Sequence, residues 1–429
     1  MQVRELGRGL PRLSGAEVAA VAVLAAGALV IPTIVMSGDE AFRFPKELAF
    51  RAEAVLLLVV AVFWTTARRR TWRIGRGAEL AVAAAAVVWT LVTAAFSTNR
   101  LLSADSLITV AAAAVIVAVT CIAAQDLPLI AVDVLMIAAG VNAALVILQE
   151  TGLWTPLKVT VPGHYGSVGL LGNVNDAGTF LVAPALAALV MAVTAAGVRR
   201  WIYAAVAVLL AGGIVASGTR TALAAFVAAL VVFALVHSWR TAIVVVVLLV
   251  LLAIPLLSGS TAIGRNARTF VEAAKTRDYQ RLFSERLVPF LTAVDMVRDH
   301  PLLGVGPGCF KYHFMAYRIA LPKHYPAQWT QAWPQNFGEV HNDHLQVASE
   351  NGLPGYALFL AAIAVVAGWR RRAAAATPEA AFARALRWPL AAAFFVVCLA
   401  QFPLELAAPR LMFLTLGALC VAWDRSDAA

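Results

Sequence analysis

The residues best suited to chemistry gather in one stretch, HNDHLQVASENGLPG, from His341 to Gly355. Asp343, with Gln346 three residues on, has the spacing of a capping box and predicts a short helix running to Glu350. Asn351-Gly352 supplies a left-handed helix end, and Pro354 bars continuation before the next helix begins near Gly355. His341 then stands just before a helix N-terminus, where unpaired backbone N–H groups and the helix dipole disfavour an imidazolium. A neutral imidazole can accept a proton, so His341 is a candidate general base. An ordinary loop histidine is the plainer reading, which the surroundings have to displace.

Those surroundings are a membrane. A chain of 429 residues that is 61% hydrophobic and only 14% charged lies outside the range of water-soluble proteins. Its net charge of +10 points to arginines holding helix ends against anionic lipid and gives no reason to expect nucleic acid. Of the four cysteines, Cys121, Cys398 and Cys420 sit in apolar runs and Cys309 in a polar one, which is neither a disulfide framework nor a cysteine-type zinc site.

In chain order, apolar runs lie near 18–36, 54–66, 80–96, 108–124, 127–148, 177–196, 201–216, 222–236, 242–257, 356–369, 389–402 and 411–423. The expected fold is an all-α polytopic integral membrane protein of about twelve transmembrane helices, with a large, mainly helical outer loop between the ninth and tenth spans. The division is a bundle over 1–257, an outer catalytic loop over 258–351 and C-terminal helices over 352–429. With the N-terminus inside, Arg68, Arg69, Arg70, Arg73, Arg76, Arg199, Arg200, Arg240, Arg370, Arg371, Arg372, Arg384 and Arg387 are all inside, as the positive-inside rule asks. The stretch 373–383 reads as an Ala-rich inner linker.

The outer segment carries Phe310, Tyr317, Tyr325, Trp329 and Trp333, too many aromatics for a spacer, so it is expected to fold as a cap. Within it, 281–298 has the periodicity of a helix lying along the bilayer, with Pro289 near its start. GVGPG, from Gly304 to Gly308, is a turn cluster; no strand precedes it, so it is not a dinucleotide fingerprint.

Arg220, in the tight connection Ser-Gly-Thr-Arg-Thr, and Arg286, in Ser-Glu-Arg-Leu, both fall on the outer side. Each has a plain alternative: snorkelling into headgroups for Arg220, and a salt bridge with Glu285 for Arg286. Two guanidiniums that fork onto phosphate oxygens would suit a lipid diphosphate. A second polar patch, GLLGNVNDAG from Gly169 to Gly178, offers Asn173, Asn175 and Asp176 either as a helix cap or as substrate contacts.

His341, Asn342, Gly352 and Gly355, in the order His-Asn, nine residues, Gly, two residues, Gly, make a motif that resembles the signature of the O-antigen ligase family, which also includes polysaccharide polymerases. The GLLGNVNDAG patch, Arg220, and Arg286 followed by DHPLLGVGPG are similar to that family too, so the resemblance runs from Gly169 to Tyr356. Ala224 stands four residues after Arg220, where ligases often carry leucine, and this leaves ligase and polymerase both open.

The resemblance implies a metal-independent, inverting glycosyl transfer outside the cytoplasmic (inner) membrane of a bacterium, with no cofactor. The implied donor is a glycan on undecaprenyl diphosphate, and the implied acceptor is the lipid A core or a growing glycan. It also implies catalytic roles for His341, Arg220 and Arg286, and substrate contacts from the two arginines, Asn342, Asn173 and Asn175. Asn342 would orient the imidazole. Two other classes compete. A lipid-linked oligosaccharide flippase would not need a folded cap ending in His341. A zinc enzyme could draw on His341, His344, Asp343, His324 and His313, but their spacing lacks a second ligand pair and a glutamate base.

Overall fold

The computed structural model describes residues 15–36, 41–68, 77–124, 129–154, 166–237, 239–330, 336–368, 375 and 377–426. Among the described residues there are helices and no strand. The first nine are α1 (Gly15–Val30), α2 (Arg43–Arg68), α3 (Ala78–Ala95), α4 (Arg100–Ala123), α5 (Ile130–Glu150), α6 (Val174–Thr194), α7 (Val198–Ser217), α8 (Arg220–Val236) and α9 (Trp239–Leu257). The long polar segment folds into α10 (Ala262–Thr276), the single turn α11 (Tyr279–Leu282), α12 (Leu287–Asp299), α13 (Phe310–Ala320) and the single turn α14 (Ala327–Thr330). The chain ends with α15 (Asp343–Ala367), α16 (Pro378–Val397) and α17 (Ala407–Ser426).

The bundle is built around α6, whose residues from Asp176 to Ala192 are all buried. Its alanines let neighbouring helices close in, as small residues do where no water drives association. Gly213 of α7 serves the same approach, since a methyl group there would stand 2.8 Å from side-chain carbons of Ala143 and Leu181. Large apolar side chains face outward instead, among them Leu56, Val62 and Phe63 on α2 and Val246, Val250 and Ile254 on α9. That surface suits hydrocarbon, and the protein is an all-α polytopic membrane protein.

Each predicted apolar run falls on a helix, but the count of about twelve spans is not what the lengths support. Among the described residues, seven helices (α4, α5, α6, α7, α15, α16 and α17) are long and apolar enough to cross, and up to eight spans result if the pair α9 and α10, bent by 73°, is one broken span. The apolar parts of α1, α3 and α8 are shorter. α2 is long, yet its first half carries Arg43, Lys46, Glu47, Arg51 and Glu53.

The polar segment has a core of its own, in which Val288, Ala293 and Met296 of α12 meet Phe310 and Phe314 of α13, with Leu321 and Val340. α12 is shorter than the helix predicted over 281–298 and is packed into this core, because Ser284 (φ 53°) and Glu285 (φ 63°) turn left-handed and break the chain just before Arg286. The amphipathic helix of the segment is α10. Cys309 is fully buried, with Sγ 3.2 Å from Ser97 Oγ.

GVGPG forms a clasp onto α15. Val305 N donates to Ser349 O (2.9 Å), Gly306 N to Glu350 O (3.0 Å) and Leu353 N to Pro301 O (2.8 Å). The Glu350 carboxylate accepts from Gly308 N (2.8 Å) and Phe310 N (3.0 Å). α15 breaks where expected, at Gly352 (φ 69°, ψ 177°), and there a side chain would collide with Leu302 O, 2.0 Å from its Cβ.

The predicted inner linker is largely helical, since α16 starts at Pro378 with Thr377 as its cap (Ala380 N to Thr377 Oγ1, 3.1 Å). Arg69, Arg70, Arg73, Arg76, Arg370, Arg371, Arg372 and Trp333 lie outside the described residues.

Candidate active site

Asn342, and not Asp343, is the N-cap of α15: its Oδ1 accepts from Leu345 N (3.0 Å) while its Nδ2 donates to Leu399 O (2.7 Å). Both ends of the amide are therefore engaged with backbone, and Asn342 anchors the helix without touching the imidazole. Asp343 is the first helical residue, buried, with Oδ2 accepting from Leu404 N (3.0 Å). Gln346 does reach back as a capping box would, but to Val340 N (2.7 Å).

His341 sits one residue before this cap at φ 60°, a left-handed conformation uncommon outside glycine. Its ring meets Phe402 edge-on at a centroid distance of 4.4 Å and Phe337 at 5.8 Å. Its Nδ1 is buried and has no hydrogen-bond partner. Burial pushes its pKa down to about 3, and the nearby charges of Arg286 and Arg43 push the same way. The imidazole is neutral.

Arg286 caps α12 and donates from Nη1 to Ala400 O (2.6 Å). Burial lowers its pKa to about 10, with Asp176 and Arg220 acting in opposite directions, so it remains a cation near neutral pH. The salt bridge to Glu285 does not form; Glu285 sits on a left-handed turn and is exposed. Arg220 opens α8, donates from Nη2 to Ser284 Oγ and lies over the Phe270 ring at 5.1 Å. Among the described residues, neither Arg220 nor Arg286 is within ion-pair distance of a carboxylate.

Asn173 is the N-cap of α6, accepting from Asn175 N (2.8 Å). One turn in, Asp176 brings this helix end to the site by pairing with Arg43 (Nε to Oδ2, 3.6 Å). Arg43, the first residue of α2, also reaches Glu339 (Nη1 to Oε2, 4.0 Å) and covers the Phe402 ring at 5.2 Å. Sequence reasoning missed Arg43. The only signal was a cluster of charges just ahead of an apolar run.

The starts of α2, α6, α8, α12 and α15 thus meet around His341. Five helix N-termini and the guanidiniums of Arg220 and Arg286 make a site for an anion, while Arg43 is already matched by Asp176 and Glu339. The histidines considered for zinc are apart from it and from one another: His344 Nε2 bonds Phe395 O (3.0 Å), His324 Nδ1 bonds Asp295 (3.0 Å) and His313 Nε2 bonds Thr98 (2.8 Å). Among the described residues no group of three or more acidic, histidine or cysteine side chains is placed to hold a metal ion.

Comparison with known families gives one result: residues 204–360 match the model of the family described as O-antigen ligase. No curated protein matches. The matched segment contains Arg220, Arg286 and His341 and leaves out Arg43, Asn173 and Asn175, which come to the site from outside it. This match, with the motifs it contains, supports the O-antigen ligase family for the segment 204–360.

Proposed function

We propose that this membrane enzyme transfers a glycan from undecaprenyl diphosphate to a sugar hydroxyl of the lipid A core, as an O-antigen ligase; polymerisation onto a growing glycan is the second reading, kept open by Ala224. The observation that carries the proposal is a neutral His341, its Nδ1 without a hydrogen-bond partner among the described residues, beside two guanidiniums that have no carboxylate within ion-pair distance among those residues. Arg220 and Arg286 hold the diphosphate and stabilise the charge it gains as its bond to the sugar breaks. The acceptor oxygen forms the new bond from the opposite face of that carbon, inverting it, and passes its proton to His341. A base with a pKa near 3 is weak. The bound diphosphate answers the charges of Arg286 and Arg43, so donor binding raises the imidazole toward the working range.

In this reading the segment 258–351 is the catalytic cap, facing the periplasm from the inner membrane, between the helices of 1–257 and those of 352–429. Ala375→Cys, on an exposed residue, tests this orientation: an impermeant thiol reagent labels it only after permeabilisation. Lys323→Cys, exposed in the cap, labels in sealed cells. The reverse pattern defeats the topology. The activity itself is read from the lipopolysaccharide of a deletion strain that makes such a polymer. Bare core with polymer left on its lipid carrier is the expected result, core bearing one repeat identifies a polymerase, and an unchanged pattern rules out both.

A further inference from the structure

Beside the site, between α2, α3, α4, α15 and α17, lies a cavity of about 760 Å³, within the range of ligand sites. Its wall changes character along the helices. On α4, Asp105 and Thr109 give way to Val110 and Ala113; on α15, Glu350 gives way to Leu358, Phe359 and Ala362; on α17, Arg410 gives way to Leu414. The polar end opens next to Arg43 and Glu339, the same arginine that flanks His341. The apolar end runs down helices that are long and hydrophobic enough to cross the membrane.

The polar end differs from the diphosphate site. Arg51 donates to Asp105 (2.8 Å) and Arg43 pairs with Asp176 and Glu339, so these cations already face carboxylates and leave a wall of hydrogen-bonding groups that demands no anion. Such a wall fits hydroxyls. Trp89, held by its Nε1 donating to Asn351 O (2.8 Å), adds an aromatic face of the kind sugar rings stack on.

Resting on the glycosyl-transfer reading above, we propose that this cavity seats the acceptor as a lipid-anchored saccharide, its sugar at the Arg51, Asp105 and Trp89 end and its hydrocarbon along Ala113, Leu358 and Ala362. The acceptor hydroxyl then comes to His341 past Arg43 and Glu339, from the side away from Arg220 and Arg286. A protein or a free sugar would leave the apolar end without a counterpart.

The test places a thiol in the apolar end, as Ala362→Cys and, on the facing helix, Ala113→Cys, each in the full chain in proteoliposomes, with the parent chain giving the background of its four native cysteines. Labelling by an apolar maleimide is followed with alkyl glycosides of increasing chain length, the matching free sugar, and the matching alkyl alcohol. Protection that grows with chain length for the glycosides and exceeds that of the alcohol at least about tenfold in half-effective concentration supports the proposal. No protection at either position, equal protection by the alcohol, or equal protection by the free sugar overturns it. Because this readout needs no turnover, it is independent of the transfer assay: loss of transfer in the parent chain would defeat the functional reading, while the labelling result answers for the cavity alone.

Discussion

Two arginine clusters stand a few helices apart and differ in what their guanidiniums meet. Around Glu47, Arg51 donates to Glu47 (3.1 Å) and Asp105 (2.8 Å), and Arg410, nearly buried, pairs with Glu47 and lies over Phe50 at 4.2 Å. Around His341, the hydrogen bonds of Arg220 and Arg286 among the described residues go to a hydroxyl and a carbonyl, with Arg220 also over the Phe270 ring. A guanidinium already matched by carboxylates has its charge cancelled and its geometry fixed, so it offers an incoming anion little. One matched only by neutral acceptors keeps a net attraction for an incoming anion. The lesson is that partners separate an arginine with a net attraction for an anion from one without it, where residue type and burial do not.

The comparison breaks most visibly at His341. His341→Ala lowers transfer from a purified lipid-linked donor by about 10²- to 10⁴-fold, while donor affinity, measured separately, stays within about twofold. His341→Gln is the sharper variant, because Gln keeps a hydrogen bond but takes no proton near neutral pH. Substantial transfer by that variant would assign base catalysis elsewhere, with Glu339 and His344 the next groups to test. Next come Arg220→Ala and Arg286→Ala, each expected to cost about 10²- to 10³-fold in turnover. The matching Lys variants lose less, since charge survives and only the fork is lost. Near-normal turnover in both Ala variants would remove the distinction between the clusters.

Arg410→Ala should act on stability instead. It leaves Glu47 to Arg51 and Thr109, removes a buried guanidinium from the Phe50 ring and costs on the order of 1 to 3 kcal/mol, read as a lower thermal midpoint in detergent, with donor affinity of the folded protein unchanged. A shift in donor affinity without loss of stability would merge the two clusters into one. The smallest effect is on pH. The folded-state pKa of His341, about 3, lies below the ordinary 6.5, so below about pH 6.5 the unfolded chain takes a proton that the folded chain refuses. The stability held by the neutral imidazole is complete above that pH and declines as pH falls, by at most about 1.4 kcal/mol per pH unit down to about 3. Thermal midpoints at pH 7 and pH 5 should therefore differ less in His341→Gln than in the parent chain.

Much of this was legible in the sequence where the cause is local. The break at Gly352 and the helix start beside His341 follow from residues a turn or less apart, and so does the cap at Asn173. Choosing between Asn342 and Asp343 as the cap was not legible, since both residue types cap well and the choice depends on Leu399 and Leu404, which come from a distant loop. Arg43 was hidden for a related reason. It belongs to the charged turns of α2 that precede the apolar run, and its partners Asp176 and Glu339 are more than 130 residues away. The span count failed because an apolar run marks a buried or lipid-facing helix without fixing that it crosses.

The clasp between GVGPG and α15 bears on how the site keeps its shape. Backbone hydrogen bonds at Val305, Gly306 and Leu353, together with the Glu350 carboxylate, sew the turn after α12 to the helix that follows His341. That helix is tied in turn to the bundle by Trp89 donating to Asn351 O (2.8 Å) and by Asn342 donating to Leu399 O (2.7 Å), and Arg286 is tied to it by donating to Ala400 O (2.6 Å). The proximity of Arg286 and His341 is therefore built into a frame of backbone contacts and needs no ligand to bring the two together.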